Sequence, residues 1–183
     1  MEADWEVEAG GGAAAIDALW AGFVDLRGSV ERIGEIAEAT AYSPLGALLK
    51  ALNAPGSGLW TSKCDLWEPE PAEIVPGAEF SLACYVDLLP AGAKVFAEWK
   101  QAEAYCREWV SRLAPLELPD CRVDLVVRQA IAGEAEGFGI TAYLGAGGPE
   151  RAAAEEMLAA AMAAFGATIP GIETPAAPAS KLQ

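Results

Sequence analysis

The chain contains no histidine among its 183 residues. Histidine is the side chain that titrates closest to neutral pH, and it is the commonest nitrogen ligand of metals. Its absence excludes Ser-His-Asp and Cys-His nucleophile systems, histidine general bases and histidine metal sites. An enzyme built on this sequence would therefore depend on carboxylates, Lys, Tyr, Cys or a bound cofactor.

Metal-binding and cofactor motifs are missing as well. The four cysteines are too far apart for a Cys-x-x-Cys clip, so we predict no metal site and instead expect buried, reduced thiols. A glycine-rich turn at residues 144–149 is not followed by the Gly-Lys-Ser/Thr of a phosphate-binding loop. We therefore predict no cofactor.

Long apolar runs and basic segments are also scarce. No stretch reaches membrane-spanning length, and the N-terminus has no basic region followed by an apolar run. Lys and Arg number 12 against 27 Asp and Glu, and the resulting net charge of −15 is spread through the whole chain. Such a charge repels nucleic acids and anionic membranes. We expect a cytoplasmic protein without nucleic-acid or membrane partners.

A recurring short pattern is the most informative positive feature. In four stretches an aspartate is preceded by an apolar residue and followed by Leu. These aspartates are Asp25, Asp65, Asp87 and Asp124. Side chains alternate between the two faces of a strand, so each Asp points away from its apolar neighbours. Three of these aspartates share a face with a basic residue two positions away: Arg27, Lys63 and Arg122. The pattern predicts a sheet with one apolar and one charged face.

The order of elements favours an α+β fold. Strands are predicted at residues 5–8, 59–67, 80–89, 121–130 and 137–144, and less clearly at 22–26; helices are predicted after residue 29 and at 43–52, 94–113 and 149–165. We expect an antiparallel sheet with helices on one face, either ferredoxin-like or built from repeated strand-strand-helix units. Residues 1–169 would form a single domain with an N-terminal helical portion at about 28–54, and 170–183 a disordered tail.

The charged face supplies the candidate site. Thr61 and Thr141 are assigned to this face, together with the nine candidate binding residues Lys63, Asp65, Trp67, Tyr85, Asp87, Arg122, Asp124, Arg128 and Tyr143. One interpretation is a solvated lattice of ion pairs. A second is a recognition surface, because clustered aromatic rings beside charges are typical of one. A third is a polar pocket covered by loops, with shifted carboxylate pKa values.

From these patterns we predict an acidic, non-catalytic protein that binds a protein partner or forms a homodimer through the charged face. The alternative is a small-molecule-binding protein or enzyme that uses Asp65, Asp87 and Asp124 in a covered pocket. Two such carboxylates on neighbouring strands could act as acid and base or hold a divalent cation. No catalytic residue is assigned, because any alternating strand with one aspartate would show the same spacing.

Overall fold

Six strands and five α-helices make up the computed structural model, which describes residues 1–8, 10 and 13–169. The strands are β1 (Glu2–Glu8), β2 (Ile16–Asp17), β3 (Leu59–Trp67), β4 (Phe80–Pro90), β5 (Cys121–Ala132) and β6 (Ala135–Gly148). The helices are α1 (Ala37–Ala41), α2 (Ser43–Leu52), α3 (Pro71–Ile74), α4 (Trp99–Leu113) and α5 (Arg151–Thr168), with a 3-10 helix at Val30–Glu35. The predicted tail at 170–183 lies outside the described residues.

The α+β class is confirmed, but the prediction of an antiparallel sheet is wrong. The strand order is β1-β5-β6-β4-β3, and both β1 and β2 run parallel to β5. A parallel pair needs a long crossover, which the chain between β1 and β5 provides. Strand direction leaves no trace in a local hydrophobic pattern. β6 lies at the centre of the sheet, between β4 and β5.

The stretch at 22–26 is not a strand, so the prediction of repeated strand-strand-helix units is also wrong. Asp25 accepts hydrogen bonds from the Arg27 backbone nitrogen at 3.0 Å and from its guanidinium at 2.9 and 2.7 Å. An aspartate that binds the backbone two residues ahead stabilises a local turn in competition with a strand ladder. The similarity to the later Asp-Leu strands is therefore confined to sequence.

The main core lies between the sheet and the helices α2, α4 and α5. Val86, Val123 and Leu125 are fully buried on this side, and Trp109 of α4 packs against Phe165 of α5 with ring centroids 6.4 Å apart. Within the described ranges, no helix has both the length and the apolar character needed to cross a membrane.

Helix α4 begins five residues later than the apolar spacing predicts. Phe96 exchanges backbone hydrogen bonds with Phe138 at 2.9 and 2.8 Å, so its backbone is committed to a bridge with β6. The helix then starts at a reciprocal capping box formed by Glu98 and Gln101. A backbone pairing with a distant strand therefore overrides the local periodicity at residues 94–98.

The face of the sheet opposite the core, here called the outer face, is also partly covered. Helix α3 lies over it, because a Cβ added to Gly145 or Gly147 would come within 2.8 Å of the Ile74 or Ala78 side chain. At the other end, residues 16–23 cover a small apolar cluster that includes Trp60 and Leu89. The prediction that helices occupy a single face is therefore wrong for α3.

Leu125→Ala should lower the free energy of unfolding by about 2–5 kcal/mol, because it opens a cavity beneath the helices. Leu125 is 0% exposed, whereas Ile131 on the same strand is 44% exposed. Ile131→Ala is the matched control and should change stability by less than about 0.5 kcal/mol. Urea unfolding followed by circular dichroism measures both. Equal losses in the two variants would contradict the assigned core face.

Candidate binding face

All nine predicted site residues lie on the outer face. One cross-strand row runs from Asp65 through Tyr85 and Tyr143 to Asp124, in register across β3, β4, β6 and β5. The other five lie within four residues of that row along their strands: Lys63, Trp67, Asp87, Arg122 and Arg128. The structure therefore brings the nine residues onto one continuous surface.

Thr61 is the exception among the residues assigned to this face. It pairs with Leu88 and its side-chain oxygen accepts a hydrogen bond from Asn53 at 2.7 Å, in the buried region beside α2. A bulge between Thr61 and Cys64 adds one residue to β3 and reverses the alternation there. The strict alternation that assigned Thr61 to the same face as Asp65 is therefore wrong for Thr61, which lies on the core side.

Strand β1 adds four carboxylates to the outer face that the candidate set omitted. Its register with β5 places Glu2 beside Arg122, Asp4 beside Asp124, and Glu8 beside Arg128, with Glu6 between them. The strict alternation of acidic and other residues at positions 2–8 is visible in the sequence. Its position next to β5 is not visible there, because it depends on the long-range parallel pairing.

Three aromatic rings on the outer face contact one another across β3, β4 and β6. Trp67, Tyr85 and Tyr143, here called the aromatic cluster, have ring centroids separated by 5.9–6.4 Å with tilted or edge-to-face planes. Trp67 is 36% exposed, and both tyrosines are half-buried. The face thus carries a partly exposed aromatic patch beside its charged residues.

Two of the three basic residues on the face already have acidic partners. Arg122 binds Asp124 at 2.6 Å, and Arg128 binds Glu8 at 3.0 Å while donating to the Tyr143 hydroxyl at 2.9 Å. Lys63 forms no ion pair with a residue that the structure describes. Its ammonium instead lies 5.6 Å from the centroid of the Trp20 ring.

Asp87 occupies a different environment from the other carboxylates of the face. It is 7% exposed, it accepts a hydrogen bond from Thr141 at 2.7 Å, and it lines a concavity of about 420 Å³ partly covered by residues 15–17 and Trp20. Burial raises the pKa of Asp87 to about 6, although the Thr141 hydrogen bond and the charges of Arg128 and Lys63 act in the opposite direction.

The three aspartates of the enzyme alternative do not converge. Asp65 and Asp124 are separated in register by two intervening strands, which corresponds to roughly 14 Å. That separation is too large for both to ligate one cation at bond lengths of about 2.3–2.6 Å. Among the described residues, no group of three or more Cys, Asp or Glu side chains has metal-binding geometry.

The thiols are equally poor candidates for nucleophiles. Burial raises the pKa of Cys64 to about 12 and that of Cys121 to about 11. Burial also raises the pKa of the Cys84 and Cys106 thiols. With these raised pKa values, all four thiols are protonated at neutral pH. They are therefore weak nucleophiles, because the reactive form of cysteine is the thiolate.

Comparison of the chain with models of protein families, with curated proteins and with solved structures finds no match.

Asp87→Asn should change how stability depends on pH. The wild-type carboxyl binds its proton more tightly in the folded chain than in the unfolded one, since its pKa rises from 3.8 to about 6. The free energy of unfolding should therefore fall by about 2 kcal/mol between pH 4 and pH 7 from this group alone. The asparagine variant should lack that decline, while its carbonyl still accepts the Thr141 hydrogen bond.

Urea unfolding of both proteins at several pH values measures this difference. Thr141→Val serves as a second variant: it removes a hydrogen bond that favours the charged form, so the decline should extend to higher pH. Parallel stability profiles for wild type and Asp87→Asn between pH 4 and pH 7 would contradict the environment assigned to Asp87.

Proposed function

We propose that this chain binds a basic protein partner through the outer face and performs no catalysis there. The single observation that carries the proposal is the aromatic cluster, three contacting rings with an exposed tryptophan, placed among carboxylates on one continuous sheet surface. Tyr and Trp are enriched at the centres of protein interfaces, where they bury large areas at a low entropic cost.

The charge of the outer face supports a basic partner. By register the face carries three basic side chains, Lys63, Arg122 and Arg128, and seven carboxylates: Glu2, Asp4, Glu6, Glu8, Asp65, Asp87 and Asp124. The remainder of the chain is acidic too, with a net charge of −15 overall. Such a field accelerates the association of positively charged proteins and disfavours negatively charged ones.

The same charge argues against a homodimer through this face. A twofold dimer brings each patch against its own copy, so the excess carboxylates would face one another. Like charges across an interface cost free energy and slow association. We therefore favour a different protein over a second copy as the partner.

The concavity at Asp87 supports a second candidate, a site for a small polar ligand. It combines a buried carboxylate with the side chains of Lys63, Tyr85 and Arg128. A ligand there would need both hydrogen-bond donors and acceptors. We rank this candidate lower, because Asp65 and Asp124 lie outside the concavity and supply no further catalytic group.

A cytoplasmic location belongs to the proposal as well. All four cysteines are free, although Cys84, Cys106 and Cys121 lie in the buried interior. Unpaired thiols are typical of proteins in a reducing compartment.

Replacing Trp67 and Tyr85 by Ala should weaken the complex with the partner by about 2 kcal/mol or more, or roughly thirtyfold, since rings at an interface centre are commonly the residues most costly to truncate. Trp99→Ala is a matched control: Trp99 is also 36% exposed, but it lies at the start of α4, away from the outer face. Affinity capture from the native organism with wild type and both variants as baits, quantified by mass spectrometry, measures the effect.

Proteins lost with the Trp67 and Tyr85 variant but retained with Trp99→Ala are the expected partners, and they should be basic. Light scattering on the purified chain detects a homodimer, and circular dichroism confirms that the variants remain folded. Identical capture profiles for the three baits, with a monomeric wild type, would overturn the proposed function.

A further inference from the structure

Strand β1 lies at one edge of the sheet. Within the part of the chain that the structure describes, β5 is the only strand paired with β1. In a parallel pair, alternate residues of an edge strand direct their backbone N–H and C=O groups away from the partner strand. β1 therefore presents backbone donors and acceptors along its outer side, although the Trp5 N–H already donates to the Asp4 carboxylate at 2.7 Å and would have to exchange that bond for one to an added strand.

The side chains of β1 are sorted by chemistry between the two faces. Its even-numbered residues are all carboxylates on the outer face, whereas Ala3, Trp5 and Val7 are half-buried on the helix side. Arg107 of α4 lies over the Trp5 ring at 5.0 Å. A strand added to this edge would meet acidic neighbours on one face and apolar neighbours on the other.

We infer that the basic partner adds a β-strand to the free edge of β1, one in which Lys or Arg alternates with apolar residues. Cross-strand neighbours on one face lie about 4.5–5.5 Å apart, so basic side chains at every second position would each face a carboxylate of β1. Three of those carboxylates, Glu2, Asp4 and Glu6, form no ion pair with a described residue. This inference rests on the proposed function and specifies how the partner docks.

Carboxylates on an edge strand also have a protective role, because they discourage uncontrolled pairing of edges. They do so selectively. Two copies of β1 paired side by side would place acidic rows next to each other, while a strand with alternating positive charges meets no such penalty. The same residues therefore exclude self-association at this edge and admit a basic strand.

A capped octapeptide in which lysine and valine alternate tests the inference. At low salt and up to about 1 mM peptide it should bind the full chain, and it should slow amide hydrogen exchange of the outward-facing amides within residues 2–8 by about tenfold or more at saturation. The comparison peptide has the same composition in two blocks, four lysines followed by four valines, and should neither bind as tightly nor slow this exchange.

Asp4→Asn combined with Glu6→Gln should weaken the alternating peptide roughly threefold to tenfold, since each exposed ion pair contributes modestly. Glu31→Gln combined with Glu156→Gln is the matched control, because it removes the same charge from exposed sites on the 3-10 helix and α5. Binding without slowed exchange, equal binding of the block peptide, or no binding at 1 mM would each overturn strand addition.

These outcomes are separate from failure of the proposed function. A partner captured by wild type and lost with the Trp67 and Tyr85 variant would still establish the outer face as a binding surface. If that partner left hydrogen exchange in β1 unchanged, it would dock on the face alone.

Discussion

The pairing of β6 with β4 on one side and β5 on the other is the interaction on which the rest of the structure depends. Nine residue pairs join β4 to β6 and twelve join β5 to β6, without a shift in register. Side-chain direction alternates strictly along such a ladder. Val86, Leu125 and Leu144 therefore enter the core together, while Tyr85 and Tyr143 meet on the opposite face. A slip of one residue would exchange the two sets.

Charged groups on the outer face contribute differently to the stability of the folded chain, according to their exposure to water. The ion pair between Arg122 and Asp124 is partly exposed, so water and salt screen it, and its contribution to stability is small. Asp87 has lost most of its contact with water, which destabilises its charged form. The hydrogen bond from Thr141 and the charges of Arg128 and Lys63 offset that loss of hydration only in part. The folded chain tolerates this cost at a position where the concavity and the covering residues 15–20 meet. Unfavourable burial of this kind is common at functional sites, although structural networks produce it too.

The regular parts of the fold could be predicted from the sequence because local rules decide them. The hairpin of β5 and β6 is an example, since its two-residue turn uses Gly133 at a φ of +67° and the flanking strands alternate cleanly. The helical stripe of Leu45, Leu48, Leu49 and Leu52 is another, and all four side chains are buried in α2. The nine candidate residues shared a face for the same reason, namely the period of two.

What could not be predicted depends on contacts between distant segments. The direction and place of β1, the backbone bridge that delays α4, and the covering of the outer face by α3 all involve partners far away in the chain. The bulge in β3 is a subtler case, because an added residue in a strand leaves no distinct local signal yet moves Thr61 to the other face. The four carboxylates of β1 were overlooked because their importance arises from the neighbouring strand.

Gly145 and Gly147 determine how closely α3 and the residues after it approach the outer face. Their missing side chains let α3 and the residues after it rest directly on the backbone of β6. A methyl group at either position would push that segment outward, since 2.8 Å is shorter than any ordinary carbon–carbon contact. The width of the accessible surface beside Arg122 therefore depends on two glycines, neither charged nor aromatic. Evolution could retune the shape of this surface through them while leaving its charges and rings unchanged.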